Sequence, residues 1–440
     1  MKVDLLISGG CIVTMNDQRQ IIDDGALAVA KDQIVALGPT AEIEHTYMAD
    51  HTIDARGKLV MPGLVNAHTH VPMSLFRGIA DDLSLMDWLM NYIFPAEAAN
   101  VTEDFCRWGT QLSCWEMIRS GTTTFADMYF FEDVIAEATK EAGMRAVLGQ
   151  GVFDSPSPDS RTAPDGLRRA EALLRKWSQD ALIRPAIGTH SAYVCSSETL
   201  RQAKQLADTY QTSLLIHLAE SQSEGAMLRE KYGATPVHYM ERINCLDHNV
   251  VAAHCVWLTD EEIEILKRRN VGVVHCPQSN MKLANGIAPV PRMLKAGLKL
   301  GLGTDAPASN NSLDMFAEMS TAARLHKVAT LDPTALTALE AVEMATRGSS
   351  RVLNLEQAIG SLEAGKKADI IILTLDEPNE IPLYNVYSHL AYAIKSSNVE
   401  TSLINGRIVM LERKMLTLDT DQIRRKAQDF KRRVLRSLPH

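Results

Sequence analysis

The stretch PGLVNAHTH, residues 62–70, places two imidazoles two positions apart after an apolar run and a Pro-Gly break. On a strand, residues i and i+2 share a face, so His68 and His70 can point the same way. Seven further segments repeat the form of a short apolar run ending in polar residues. They are GTTTFADMY (121–129), MRAVLGQGV (144–152), IRPAIGTH (183–190), TSLLIHLAE (212–220), NVVAAHCV (249–256), VGVVHCPQSN (271–280) and LKLGLGTDA (298–306). Helical patterns separate them, for example at 101–119, 131–142, 164–178, 196–209, 260–270 and 289–297. Eight strand–helix alternations predict an α/β fold, a (β/α)8 TIM-like barrel. An open doubly wound sheet has no reason to put polar groups at the ends of so many strands. In a barrel those ends form one mouth, where active sites lie. His68 and His70 close the first strand, His190 the fourth, His217 the fifth and His254 the sixth. His275 lies near the end of the seventh, and Asp305 closes the eighth.

Working outward, the first 60 residues read as short strands broken by Gly, Asn-Asp and Lys-Asp turns. The same texture returns in GSLEAGKKADIIILTL and VETSLINGRIVM, where Asn405-Gly406 signals a hairpin. Either piece alone is too small to bury much core. The expected organisation is a small composite β-sandwich domain from 1–60 plus 356–415, a metal-dependent barrel over 61–355, and a C-terminal helix over 416–440. In that last segment Ile423, Phe430, Val434 and Leu438 recur among bases, the pattern of a docked amphipathic helix.

A formal net charge of −9 argues against nucleic acid or an anionic membrane as partner. No apolar run approaches the length needed to span a bilayer. The seven cysteines are scattered without a CxxC pair, which argues against a disulfide framework or a Cys-rich zinc site. MKVDLLISGG reaches a turn too early for a signal peptide, so a reducing cytoplasm is expected. A homo-oligomer stays open.

A single histidine is most often a satisfied core residue, but a group gathered at one mouth is a different matter. His68, His70, His217 and Asp305 offer three nitrogens and one carboxylate, a set that suits Zn2+ with a position left for water; Fe2+ takes the same ligand types. No lysine accompanies His190 at the end of the fourth strand, where two-metal barrels often carry one, so one ion per subunit is expected. Glu220, three residues beyond His217, is placed to donate a proton to a ring nitrogen, or else merely to serve a helix start. His254 can orient a water, and Asp305 can also accept its proton. These parts suit hydrolytic attack on an electron-poor C=N carbon or a carbonyl. Ser309, Asn310, Asn311 and Asp314 read mainly as caps of the next helix.

Across nearly its full length the chain resembles the amidohydrolase superfamily, specifically the 5-methylthioadenosine/S-adenosylhomocysteine deaminases. MPGLVNAHTHVPMSLFRGIADDLSLMDWL, GTTTFADMY, HLAES, AHCVWL and GTDAPASNNSLDMF carry the likeness. The resemblance implies one catalytic zinc on His68, His70, His217 and Asp305. It implies Glu220 as the residue protonating adenine, with His254 beside the attacking water. Glu97, otherwise an ordinary solvated carboxylate, would bind the ribose hydroxyls, and His190 the purine or nucleoside. The implied reaction is hydrolytic deamination at C6 of methylthioadenosine or S-adenosylhomocysteine. Met73, Leu75, Phe76, Leu83, Leu85, Met86 and Trp88 offer an apolar cover for a thioether. Arg161, or Arg145 unless it only decorates the start of its strand, would hold an amino-acid carboxylate. The rival readings are deamination of adenosine, guanine or another purine, a chloro-triazine-type hydrolase, and a zinc-stabilised binding protein without activity. Glu220 favours deamination over halide displacement, because an amine on an azine leaves more readily once the ring is protonated.

Overall fold

The structure, a computed structural model, describes residues 1–438. Eight parallel strands pair in chain order to form the predicted barrel: Leu64–Thr69, Thr122–Tyr129, Arg145–Val152, Ile183–Ser191, Leu214–Leu218, Val250–His254, Gly272–His275 and Lys299–Leu302. Beyond the eighth strand the ring is drawn shut against the first. The Asp305 amide donates to the His68 carbonyl at 2.9 Å, and the Thr304 amide donates to Asn66 Oδ1 at 3.0 Å. Gly303 sits in this seam, where an added Cβ would stand 2.8 Å from the His68 nitrogen and 2.9 Å from its Cβ. Only glycine lets the two strands approach so closely.

Inside the ring lies an apolar cluster to which Val65, Ala126, Val147, Ala186, Leu215, Val251 and Val274 each contribute from a different strand. Their neighbours Leu64, Phe125, Ala146, Ile187, Leu214, Val250 and Val273 belong to the layer between strands and helices. This alternation sets the parity of every strand. Helices close off the outside, several with caps written in sequence. Thr102 accepts from the Phe105 amide, and Thr259 with Glu262 forms a reciprocal capping box.

Both chain ends build one nine-stranded mixed sheet. Its joint is the antiparallel pairing of Leu59–Pro62 with Ile370–Leu373, in register Val60↔Ile372. Leu5, Ile7, Leu27 and Ile34 from one end share a buried core with Ile370, Ile372 and Leu403 from the other. Each such side chain contributes roughly 1.5–3 kcal/mol when buried, a stabilisation neither end collects alone. Arg145 fastens this sheet to the foot of the barrel through a buried two-pronged pair with Asp369, at 2.7 and 3.1 Å.

The C-terminal helix runs Thr420–Ser437, and residues 439 and 440 of the expected segment lie outside the described residues. Ile423, Phe430 and Val434 are its buried face. Phe430 meets Phe105 edge-on at 5.4 Å, and Arg424 and Lys426 lie over Trp115 and Trp108. Its basic residues thus cover the protein's own aromatic rings. No helix among the described residues is long and apolar enough to cross a membrane.

Candidate metal centre and active site

Strict alternation would leave His68 and His70 facing outward, because Val65 and Ala67 already face the interior cluster. A bulge between Asn66 and Thr69 inserts one residue against the second strand and resets the parity, so both imidazoles turn inward. His190 and His217 follow Ala186 and Leu215 at even spacing, and the pairing of their strands skips His190 through a bulge of its own. His254 is brought in by its own left-handed backbone (φ 73°), and Asp305 sits at φ 61°. Such conformations cost a non-glycine residue roughly 1–2 kcal/mol, and here both are found at the site.

One ligand atom each of His68, His70, His217 and Asp305 lies within 4.8 Å of all the others. Asp305 Oδ1 is 3.3 Å from His68 Nε2 and 3.4 Å from His70 Nε2, and His70 Nε2 is 3.2 Å from His217 Nε2. These spacings match the edges of about 3.4 Å in a tetrahedron with zinc-like bonds. The opposite ring nitrogens are spoken for: His70 Nδ1 donates to the Met128 carbonyl at 2.6 Å and His217 Nδ1 to the His190 carbonyl at 2.8 Å. A carbonyl only accepts, so the neutral form of each ring carries its lone pair on Nε2, toward the centre. His68 Nε2 is buried without a hydrogen-bond partner, and a buried polar atom of that kind calls for one. The donor set fits a divalent cation.

Burial pushes His68 down to about 4, and burial reinforced by neighbouring histidines holds His217 well below its ordinary value. Both therefore stay neutral, as metal ligands must. Burial also opposes charge on His70, but Asp305 and Asp127 outweigh it and raise its pKa to about 9. Burial opposes ionisation of Asp305, yet His68 and His70 keep its carboxyl well below the usual range. Ser279 and Ser309 donate to its second oxygen, at 2.5 and 2.8 Å. Asp305 is thus a buried anion ringed by imidazole nitrogens.

Glu220 is buried beside this cluster, its Oε2 3.9 Å from His254 Nε2, and burial raises its pKa. Asn285 donates to its other oxygen at 2.8 Å. The Ala219 and Glu220 amides both donate to Glu224, which anchors the loop carrying Glu220. His254 Nδ1 is hydrogen-bonded to Asn280 Oδ1 at 2.9 Å. Burial disfavours a charge on His254, but Glu220 and Asp305 prevail and raise its pKa. A cleft open to solvent lies above, lined by His70, His217, Glu220, His254 and Asp305 together with Glu97 and His190. Glu97 is buried rather than solvated. Tyr129 donates to it at 2.7 Å, and burial lifts its pKa to about 7. Burial drives His190 down to about 3, so it enters as a neutral ring.

Four sequence expectations are corrected. Arg145 begins its strand, at the foot of the barrel, and is committed to Asp369; Arg161 is exposed and outside the cavity lining. His275 faces outward onto His326, Nε2 to Nε2 at 3.1 Å. Of the proposed cover, Met73, Leu85 and Trp88 line the cavity. Phe76 packs on Phe105 instead, and Leu75, Leu83 and Met86 are not part of the lining. Of the proposed caps, Asp314 does cap its helix, whereas Ser309 serves Asp305 and Asn310 serves the Thr304 carbonyl and Glu318. Tyr129, Ser279, Asn280 and Asn285 went unread, since nothing local marks them. Glu224 did have a signal, the S-x-x-E of Ser221–Glu224.

Barrel, sheet and donor set together define a class: the chain belongs to the amidohydrolase family, whose sequence model matches residues 59–409. Over 433 residues, 98% of this chain and 99% of the relative, it is 46% identical to the 5-methylthioadenosine/S-adenosylhomocysteine deaminase of Syntrophobacter fumaroxidans. It is 47% identical over 437 residues, 99% of each chain, to 5-methylthioadenosine/S-adenosylhomocysteine deaminase 1 of Syntrophus aciditrophicus. Within the amidohydrolases its place is therefore among the 5-methylthioadenosine/S-adenosylhomocysteine deaminases. A solved adenosine deaminase from Xanthomonas campestris with bound zinc superposes with a TM-score of 0.97, at 37% identity and 99% coverage of each chain.

Proposed function

We propose that this chain hydrolyses the C6 amino group of adenine in 5′-methylthioadenosine and S-adenosylhomocysteine, giving methylthioinosine or S-inosylhomocysteine and ammonia. The observation that carries the reading is the convergence of His68, His70, His217 and Asp305 beside a buried acid, Glu220, at one shared cavity. Relatives that share nearly half the sequence bear names for this activity.

One Zn2+ per subunit would be held by His68, His70, His217 and Asp305, where it would lower the pKa of a water toward neutrality. The remaining steps fall to the chain's own groups. Glu220, whose carboxyl burial pushes above its ordinary range, donates a proton to adenine N1 and leaves C6 electron-poor. Asp305 accepts a proton from the attacking water, and His254, oriented by Asn280, stabilises the developing oxyanion. One proton of the water passes through Asp305 to the amino group, which departs as ammonia, and the other returns to Glu220 as C6 becomes a carbonyl. Glu97, steadied by Tyr129, receives the ribose hydroxyls, and neutral His190 contacts the purine. Adenosine is a second substrate of the same pocket, a reading supported by the zinc-bound adenosine deaminase of matching fold.

The test is a panel of adenosine, methylthioadenosine, S-adenosylhomocysteine and guanine, followed by ultraviolet change and ammonia release. Ammonia from the adenosine thioethers and none from guanine is expected. Zinc-loaded protein that binds the thioethers but never liberates ammonia would establish a binding protein instead.

A further inference from the structure

Building on the deaminase reading, we infer that the pocket favours adenosine thioethers whose 5′ substituent is uncharged over those carrying an amino-acid tail. Glu97 stands in a helical run that begins at Leu85, and Ile93 and Phe94 lie four and three residues before it on the same face. Together with Met73, Leu85, Trp88 and Leu89 they form an apolar wall of the cavity. Phe130 and Phe153 line it as well. A ribose held at Glu97 therefore extends its 5′ group along apolar side chains.

A homocysteine tail brings an ammonium and a carboxylate into these surroundings. Among the described residues no lysine or arginine lines the cavity, whose ionisable lining groups are three carboxyls, Glu97, Glu220 and Asp305, four histidines and the phenol of Tyr129. The cations elsewhere lie outside that lining. Arg145 is locked to Asp369, and Arg161 is exposed outside the lining. Lys282, adjoining the lining residue Leu283, is paired with Asp81 at 2.5 Å and donates to Asn311 at 2.9 Å. A carboxylate that enters leaves its water without finding a counter-charge, whereas a methylthio group loses nothing and contacts Met73 and the aromatic rings.

Comparing kcat/KM on the full-length, zinc-loaded protein for methylthioadenosine, 5′-butylthioadenosine and S-adenosylhomocysteine separates charge from length. The butyl chain approximates the reach of the homocysteine tail without its charges. The expected result is good use of both neutral thioethers, with S-adenosylhomocysteine at least tenfold below the butyl compound. A smaller gap, or a butyl compound as poor as S-adenosylhomocysteine, overturns the inference and leaves the deaminase reading intact. Failure of all three nucleosides to release ammonia would instead bring down that reading, and this inference with it.

Discussion

Two histidine groups grow from the same ring of strands and come to opposite ends. His68, His70, His217 and His254 face inward around Asp305, with neighbouring ring centroids 4.9–5.5 Å apart. His275 lies at the end of its strand as His217 and His254 lie near the ends of theirs, but it faces outward and meets His326 on the helix Met315–Thr330. Strand parity separates them. The first strand is re-aimed by a bulge and the sixth by a left-handed residue, whereas the seventh runs regularly from Val274 inward to His275 outward. Charge is the second difference. The inner group surrounds a buried carboxylate, and the outer pair has no anion acting on it: burial alone lowers His326 to about 4. Imidazoles at strand ends thus become a cation site only where they face inward onto a shared acid, by regular alternation at His217 and by a bulge at His68 and His70.

Substitutions can break this contrast. His217→Ala should abolish metal retention and reduce turnover by on the order of 10^4 or more, read by metal analysis and ammonia release. Glu220→Gln should keep the ion yet lose about 10²- to 10⁴-fold in kcat, since only the proton donor is removed. Full activity there would dismiss the assigned acid. Tyr129→Phe frees one oxygen of buried Glu97 and should raise KM about fivefold with little change in kcat, the worth of roughly one hydrogen bond.

The outer pair should be catalytically silent. His326→Leu is expected to leave metal content and turnover unchanged, and to alter the response to acid instead. His326 titrates in the fold at about 4, below its ordinary 6.5, so the unfolded chain binds the proton first. Its contribution is complete above pH 6.5 and declines as the pH falls toward 4. The leucine variant should therefore show a flatter loss of stability across that window, measured as urea midpoints from pH 7 to 4. Loss of metal from this variant would erase the distinction between the two groups.

Much of the barrel was legible because each strand is a short apolar run closed by polar residues, a period the helices do not share. The two-ended sheet was legible because neither end has enough apolar residues to make a core. The convergence of His217 and Asp305 with the first-strand pair followed from the rim alone. What stayed hidden was parity. VGVVHC is buried on both faces, so its composition cannot tell inward from outward, and neither the bulge after Asn66 nor the left-handed turn at His254 has a local marker. The supports were hidden for a related reason. Ser279 reaches Asp305 across 26 positions and Asn285 reaches Glu220 across 65, distances that only the closed ring brings together. Arg145 stands at the start of its strand, the alternative the sequence left open, and so serves the foot of the barrel and not its mouth.

The central claim is that a single cation belongs at the inner histidines and none at the outer pair. Anomalous diffraction at the zinc edge from crystals of the zinc-loaded protein tests it directly. One peak within bonding distance of His68, His70, His217 and Asp305, with nothing between His275 and His326, is the predicted result. A peak at the outer pair, or no peak at the inner four, would contradict the account.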